Sequence, residues 1–99
     1  MSKKFLQRTP RFKDKVVVVT GASAGVGRAT ALAFAKQGAK LGLIARGAEG
    51  LASARRDIEL AGGSALTIQA DVADAAAVEH AAQQVEDQLG PIDIWVNNE

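Results

Sequence analysis

The chain has 99 residues, enough for one small core, and its 47% hydrophobic and 23% charged residues are ordinary for a globular domain. With no cysteine and a single histidine, His80, a disulfide scaffold and a thiolate metal site are excluded, and a metal is discounted because only carboxylates would remain to bind it. The net charge of +1 is unevenly spread: Lys3, Lys4, Arg8, Arg11, Lys13 and Lys15 face only Asp14 in the first 15 residues, and the rest of the chain is acidic on balance.

Residues 1–13 read as a basic, solvated N-terminal arm, with a contact to phosphates or to an acidic membrane surface as the alternative. No apolar run reaches the ~18 residues a membrane span needs, and the start lacks the apolar stretch of a signal peptide. The expectation is a soluble, cytoplasmic protein without membrane or nucleic-acid partners.

From residue 14 the pattern alternates between two periods. Val16-Val17-Val18-Val19 is an unbroken β-branched run, as in a strand buried on both faces. Gly21-Ala22-Ser23-Ala24-Gly25-Val26-Gly27 follows directly, and Val26 to Gln37 has helical spacing. Ala29, Leu32, Ala33 and Ala35 are expected on its sheet-facing side, and Gly38 stops it. Lys40 to Ala45 reads as a second strand, Ala48 to Ala61 as a second helix ended by Gly62-Gly63, and Ala65 to Gln69 as a third strand. Asp74 is a candidate N-cap for a helix from Ala75 to Leu89, with Val78, Ala81, Ala82, Val85 and Leu89 on one stripe. Gly90-Pro91 breaks it before a fourth strand, Ile92 to Val96.

Strands and helices in strict alternation, with short links, define an α/β architecture: a Rossmann-type, partial doubly wound parallel sheet. The expected strand order is 3-2-1-4, with helices on both faces. The winding then reverses between the first and fourth strands, where open α/β sheets bind ligands at the carboxyl ends of their strands. Both the glycine loop and Asn97-Asn98 belong to that end.

Three glycines between a strand and a helix carry a specific chemistry. Gly21 can turn the chain, Gly25 can let backbone approach a phosphate, and Gly27 can let helix and strand pack closely. Free N–H groups at the helix start then face a pyrophosphate, aided by the helix dipole. No Lys-Ser/Thr pair follows, which disfavours a Walker-type site. The alternative is a strand-to-helix turn with no ligand.

In this combination the sequence resembles the short-chain dehydrogenase/reductase family, whose Thr-Gly-x-x-x-Gly-x-Gly loop is matched at each fixed position by Thr20 to Gly27. The resemblance runs over residues 14–98 and implies a nicotinamide dinucleotide cofactor held by Gly21, Ser23, Ala24, Gly25, Val26 and Gly27. At the end of the second strand a carboxylate would select NAD, whereas this chain has Arg46, whose guanidinium suits the 2′-phosphate of NADP. NADP is therefore expected over NAD, although Glu49 lies close by and Ala24 stands where a second basic residue is often found. A solvated Arg46 is the alternative.

The resemblance also implies that Asp71 and Val72 clamp the adenine, with an ordinary turn aspartate as the alternative. Asn97 and Asn98 match the first half of the family's Asn-Asn-Ala-Gly, from which Glu99 departs. Arg28 is expected near the phosphates, His80 on a helix surface, and Trp95 in packing beside the switch point.

The family's catalytic pair is Tyr-x-x-x-Lys with an upstream Ser, and it places an acid/base on the substrate oxygen. The sequence contains no tyrosine, and Ser2, Ser23, Ser53 and Ser64 match no catalytic serine position. The expectation is the NADP(H)-binding portion of a short-chain oxidoreductase, inactive alone. The alternative is a non-catalytic dinucleotide-binding or interaction module made by truncation. An open fourth-strand edge, with Ile92, Ile94, Trp95 and Val96 partly exposed, would favour a homo-oligomer or a complementing C-terminal half.

Overall fold

A computed structural model describes residues 10–98. The first nine residues, with Lys3, Lys4 and Arg8 of the basic arm, lie outside the described residues, as does Glu99. Strands β1 (Val16–Thr20), β2 (Lys40–Ala45), β3 (Ser64–Gln69) and β4 (Ile94–Val96) alternate with helices α1 (Gly25–Lys36), α2 (Ala48–Leu60) and α3 (Ala75–Leu89). The strands form one parallel sheet in the order β3-β2-β1-β4, as expected.

Two apolar layers hold the sheet, one on each face. Because successive side chains of a strand point to opposite sides, Val17 and Val19 of β1 join Leu41 and Leu43 of β2 beneath α1 and α2, which contribute Ala31, Ala35, Leu51, Ala54 and Ile58. Val16 and Val18 join Ile44 and Ile68 beneath α3, which contributes Ala81 and Val85. The uninterrupted valine run of β1 is thus explained by burial on both faces. The α3-side layer is the thinner one, with six buried residues against twelve on the other face, and Leu66, Leu89, Ile92 and Trp95 at its margin are half-buried.

Three local readings are corrected. The buried face of α1 is Gly27, Ala31 and Ala35, while Ala29 and Ala33 are exposed and Leu32 is half-buried. In a helix of mostly small residues, periodicity carries little phase. The rotation is set by the close approach of Gly27 to the preceding loop and by an edge-to-face contact of Phe34 with Phe12, ring centroids 5.0 Å apart. The regular ladder of β4 begins at Ile94, not Ile92. Asp93 replaces the missing rung, its N–H donating to Val16 O at 2.9 Å and its Oδ2 accepting from Val16 N–H at 2.8 Å. The third correction concerns Arg28 and falls within the site described next.

Phe12 also donates its N–H to Gln37 O at 2.9 Å, and Asp14 donates to Gly38 O at 3.1 Å. The last residues of the basic arm are thereby tied to the end of α1.

Candidate functional site

The carboxyl end of β1 is organised by one buried polar group. Thr20 closes the valine run and is 2% exposed. Its hydroxyl accepts from the Asn98 N–H at 2.9 Å and lies 3.4 Å from both Val96 O and Asn98 O, one of which takes its proton. The segment after β4 is thereby fastened over the start of the glycine loop.

The three loop glycines have separate reasons to be glycine. Gly21 has φ +61°, and a Cβ there would collide with the Asn98 carbonyl. At Gly27 a Cβ would collide with the Gly21 carbonyl and lie 2.6 Å from Asn98 Nδ2. Gly25 has φ +57° and faces open space, with nothing within 4 Å of where a Cβ would be. Two of the glycines therefore let loop, helix and Asn98 interlock, and the third leaves the outer surface of the loop bare.

The start of α1 is left without a cap. Ala24 occupies the N-cap position and has no side-chain oxygen to offer, so the first helical bond runs from Arg28 N–H to Ala24 O at 3.3 Å. The N–H groups of Gly25, Val26 and Gly27 are the donors a helix leaves unpaired at its start. They suit an anion, and Val26, 71% exposed, shows how open this surface is.

A cleft of about 530 Å³ opens beside the loop at the carboxyl ends of β1, β2 and β3. Gly21, Ser23, Arg46, Asp71, Val72 and Asn98 line it, all named from sequence. Ala24, Gly25, Val26 and Gly27 form the adjoining helix start rather than the cleft wall. Asn97 is turned away, accepting from Trp95 Nε1 at 2.9 Å and lining a neighbouring depression with Trp95 and Val78.

Arg46 lies exposed at the rim, and no ion pair to its guanidinium forms among the described residues. Asp71 makes the turn expected of the simpler reading, its Oδ1 accepting from Ala73 N–H at 2.9 Å. A carboxylate has a second oxygen, so that turn does not use up its capacity to accept. Asp74 is the N-cap of α3, accepting from Ala77 N–H at 3.1 Å.

Arg28 is the third correction. Its guanidinium turns from the loop to α2, where Nε and Nη2 donate to Asp57 Oδ2 at 3.1 and 2.6 Å and Nη2 donates to Ser53 Oγ at 2.8 Å. A carboxylate and a hydroxyl within reach on α2 out-compete a solvent-facing position, and the result ties the first turn of α1 to its neighbouring helix. His80 is exposed and Trp95 packs on the α3 side of the sheet, both as expected.

Sequence reasoning missed several contributors. Thr20 was part of the recognised loop pattern, yet its task of fastening Asn98 was not visible. Gly50, in the first turn of α2, accommodates Ser23, whose Cβ would be 2.6 Å from a Cβ at Gly50. A glycine inside a helix is the one available signal for such close approach. Ala45, Gly47, Ala70 and Ala73 complete the cleft wall without any chemical signature of their own. Among the described residues no group of three or more His, Cys, Asp or Glu could hold a metal, and no helix is long and apolar enough to cross a membrane.

The sequence profile of the short chain dehydrogenases matches residues 15–99, and the chain belongs to that family. It is 45% identical over 92 residues to levodione reductase of Leifsonia aquatica, covering 91% of this chain and 34% of that protein. Among solved structures, glucose dehydrogenase of Caenorhabditis elegans in its apo form superposes with a TM-score of 0.85 at 41% identity, covering 89% of this chain and 38% of the other. L-sorbose reductase of Gluconobacter frateurii, in complex with NADPH and L-sorbose, gives a TM-score of 0.85 at 38% identity, covering 93% and 35% of the two chains. The chain therefore spans about a third of the length of these relatives.

Proposed function

We propose that this chain is the NADP(H)-binding portion of an oxidoreductase that transfers hydride between a nicotinamide cofactor and an alcohol or carbonyl substrate. The observation that carries the reading is that an uncapped helix start and an exposed arginine adjoin one cleft, together with Asp71 and Asn98. The free N–H groups of the α1 first turn suit the pyrophosphate, and the bare surface at Gly25 lets it come close. Arg46 suits a 2′-phosphate on the ribose, and the free oxygen of Asp71 with the backbone of Val72 suits the adenine edge. Bound there, the nicotinamide would supply the hydride.

This chain's own contribution is to bind and orient. Thr20 and Asn98 fix the floor of the site, and Arg28 holds α1 against α2 so that the loop and Arg46 keep their spacing. The acid/base that works on a substrate oxygen in this family is a tyrosine, a residue absent from the sequence.

The test is a titration of the purified chain with NADPH and with NADH. NADPH is expected to bind more tightly, and Arg46→Ala is expected to weaken NADPH by about 10- to 100-fold while leaving NADH nearly unchanged. Equal affinities for the two cofactors would overturn the choice of NADP. Failure to bind either would overturn the dinucleotide reading as a whole.

A further inference from the structure

The Arg46 carbonyl is held by a side chain from a different strand. β2 and β3 run in register up to the pair Ala45↔Gln69, and Ala70 N–H to Ala45 O at 2.9 Å closes their ladder. The Arg46 carbonyl lies one residue beyond the end of β2, and the side chain of Gln69 reaches it, Nε2 donating at 2.8 Å. A carbonyl can only accept, so the amide must present its nitrogen.

On the other side of Arg46 stands Gly47, the N-cap of α2, which has φ −90° and ψ 113° and makes no side-chain cap bond. The backbone bearing the guanidinium thus passes from an anchored strand into the residue type with the greatest conformational freedom. Gln69 is exposed and takes no part in either apolar layer. Its side chain supplies the rung that the ladder no longer provides.

We infer that Gln69 is a positioning residue for cofactor choice. By holding the Arg46 carbonyl it fixes the backbone from which the guanidinium reaches the 2′-phosphate. The inference rests on the NADP reading above and adds to it a residue outside the lining of the cleft.

The experiment is a double-mutant cycle on the whole chain, read as NADPH and NADH affinities. Gln69→Met keeps the length of the side chain and removes its donor. It is expected to weaken NADPH about 3- to 10-fold, the effect of one neutral hydrogen bond, and to change NADH by less than about twofold. In an Arg46→Ala background the same substitution is expected to add nothing, since there is no guanidinium left to aim.

Parallel losses for NADPH and NADH would overturn the inference, because they would mark a general structural role. So would a Gln69→Met chain with the parent's NADPH affinity while Arg46→Ala loses its own, and in that case the NADP reading would stand. Equal NADPH and NADH affinities in the parent chain would overturn both.

Discussion

At the amino end of the sheet Gly38 and Gly62 close α1 and α2, and at the carboxyl end Gly21, Gly25 and Gly27 open α1. The two closing glycines are alike in detail, each with φ +89°. Gly38 N–H donates to Ala35 O and Ala39 N–H to Phe34 O. Gly62 N–H donates to Glu59 O and Gly63 N–H to Ile58 O. These are the paired bonds of a Schellman closure, which satisfy carbonyls the helix itself leaves open. At the other end backbone groups stay unpaired because Ala24, at the N-cap of α1, has no side-chain oxygen, and Gly25 keeps the surface beside them bare. The start of α3, by contrast, is capped by the Asp74 side chain. Glycine thus completes the hydrogen bonding of a helix end at Gly38 and Gly62, and at Gly25 it leaves the surface beside an uncapped helix start bare.

The sharpest test lies at Gly27, which belongs to the carboxyl end yet is buried. A Cβ there collides with the Gly21 carbonyl and crowds Asn98 Nδ2, and backbone cannot move aside as a flexible side chain can. Gly27→Ala is expected to lower stability by about 2–4 kcal/mol and to abolish dinucleotide binding, measured by urea unfolding and by NADPH titration. A stable variant would show that the interlock of loop, helix and Asn98 is looser than the geometry requires.

Next come the two closing glycines, which separate conformational cost from crowding. Gly62 has open space where its Cβ would be, so Gly62→Ala carries only the left-handed backbone cost, about 1–2 kcal/mol. At Gly38 a Cβ would also lie 3.0 Å from Lys13 Cα and from Pro10 Cβ, so Gly38→Ala is expected to cost more. Neither change should alter NADPH affinity in the folded chain. An affinity loss in either would remove the division of labour between the two ends.

The fold was legible because its signals are redundant: a four-valine run, glycines at two helix ends, and strands and helices in strict alternation. The phase of α1 was not, because alanines occupy several of its sides and contacts with Gly21, Asn98 and Phe12 decide which side turns inward. Candidate site residues could be named where chemistry resides in the residue type, and the fold brings Gly21, Arg46 and Asp71 to one cleft. It was hidden where a residue acts on another element: Thr20 on Asn98, Gln69 on Arg46, and Arg28 on Asp57, 29 positions away. Residue type shows what a side chain can bond. Which partner comes within reach is decided only when the sheet has formed.

Gly25, with the same small stability cost expected as at Gly62, provides the sharpest separation of binding from folding. Its φ of +57° makes alanine unfavourable by about 1–2 kcal/mol, and no atom within 4 Å adds to that cost. Gly25→Ala should therefore fold. The new methyl group would project from the bare surface that a pyrophosphate is to approach, whichever ribose carries it. NADPH and NADH should weaken together, on the order of tenfold each, in contrast to Arg46→Ala, which acts on NADPH alone. Titration of both cofactors against both variants resolves the site into its two parts. If Gly25→Ala keeps full affinity for both cofactors, the phosphates do not lie over the start of α1, and the role assigned to that unpaired helix end fails with it.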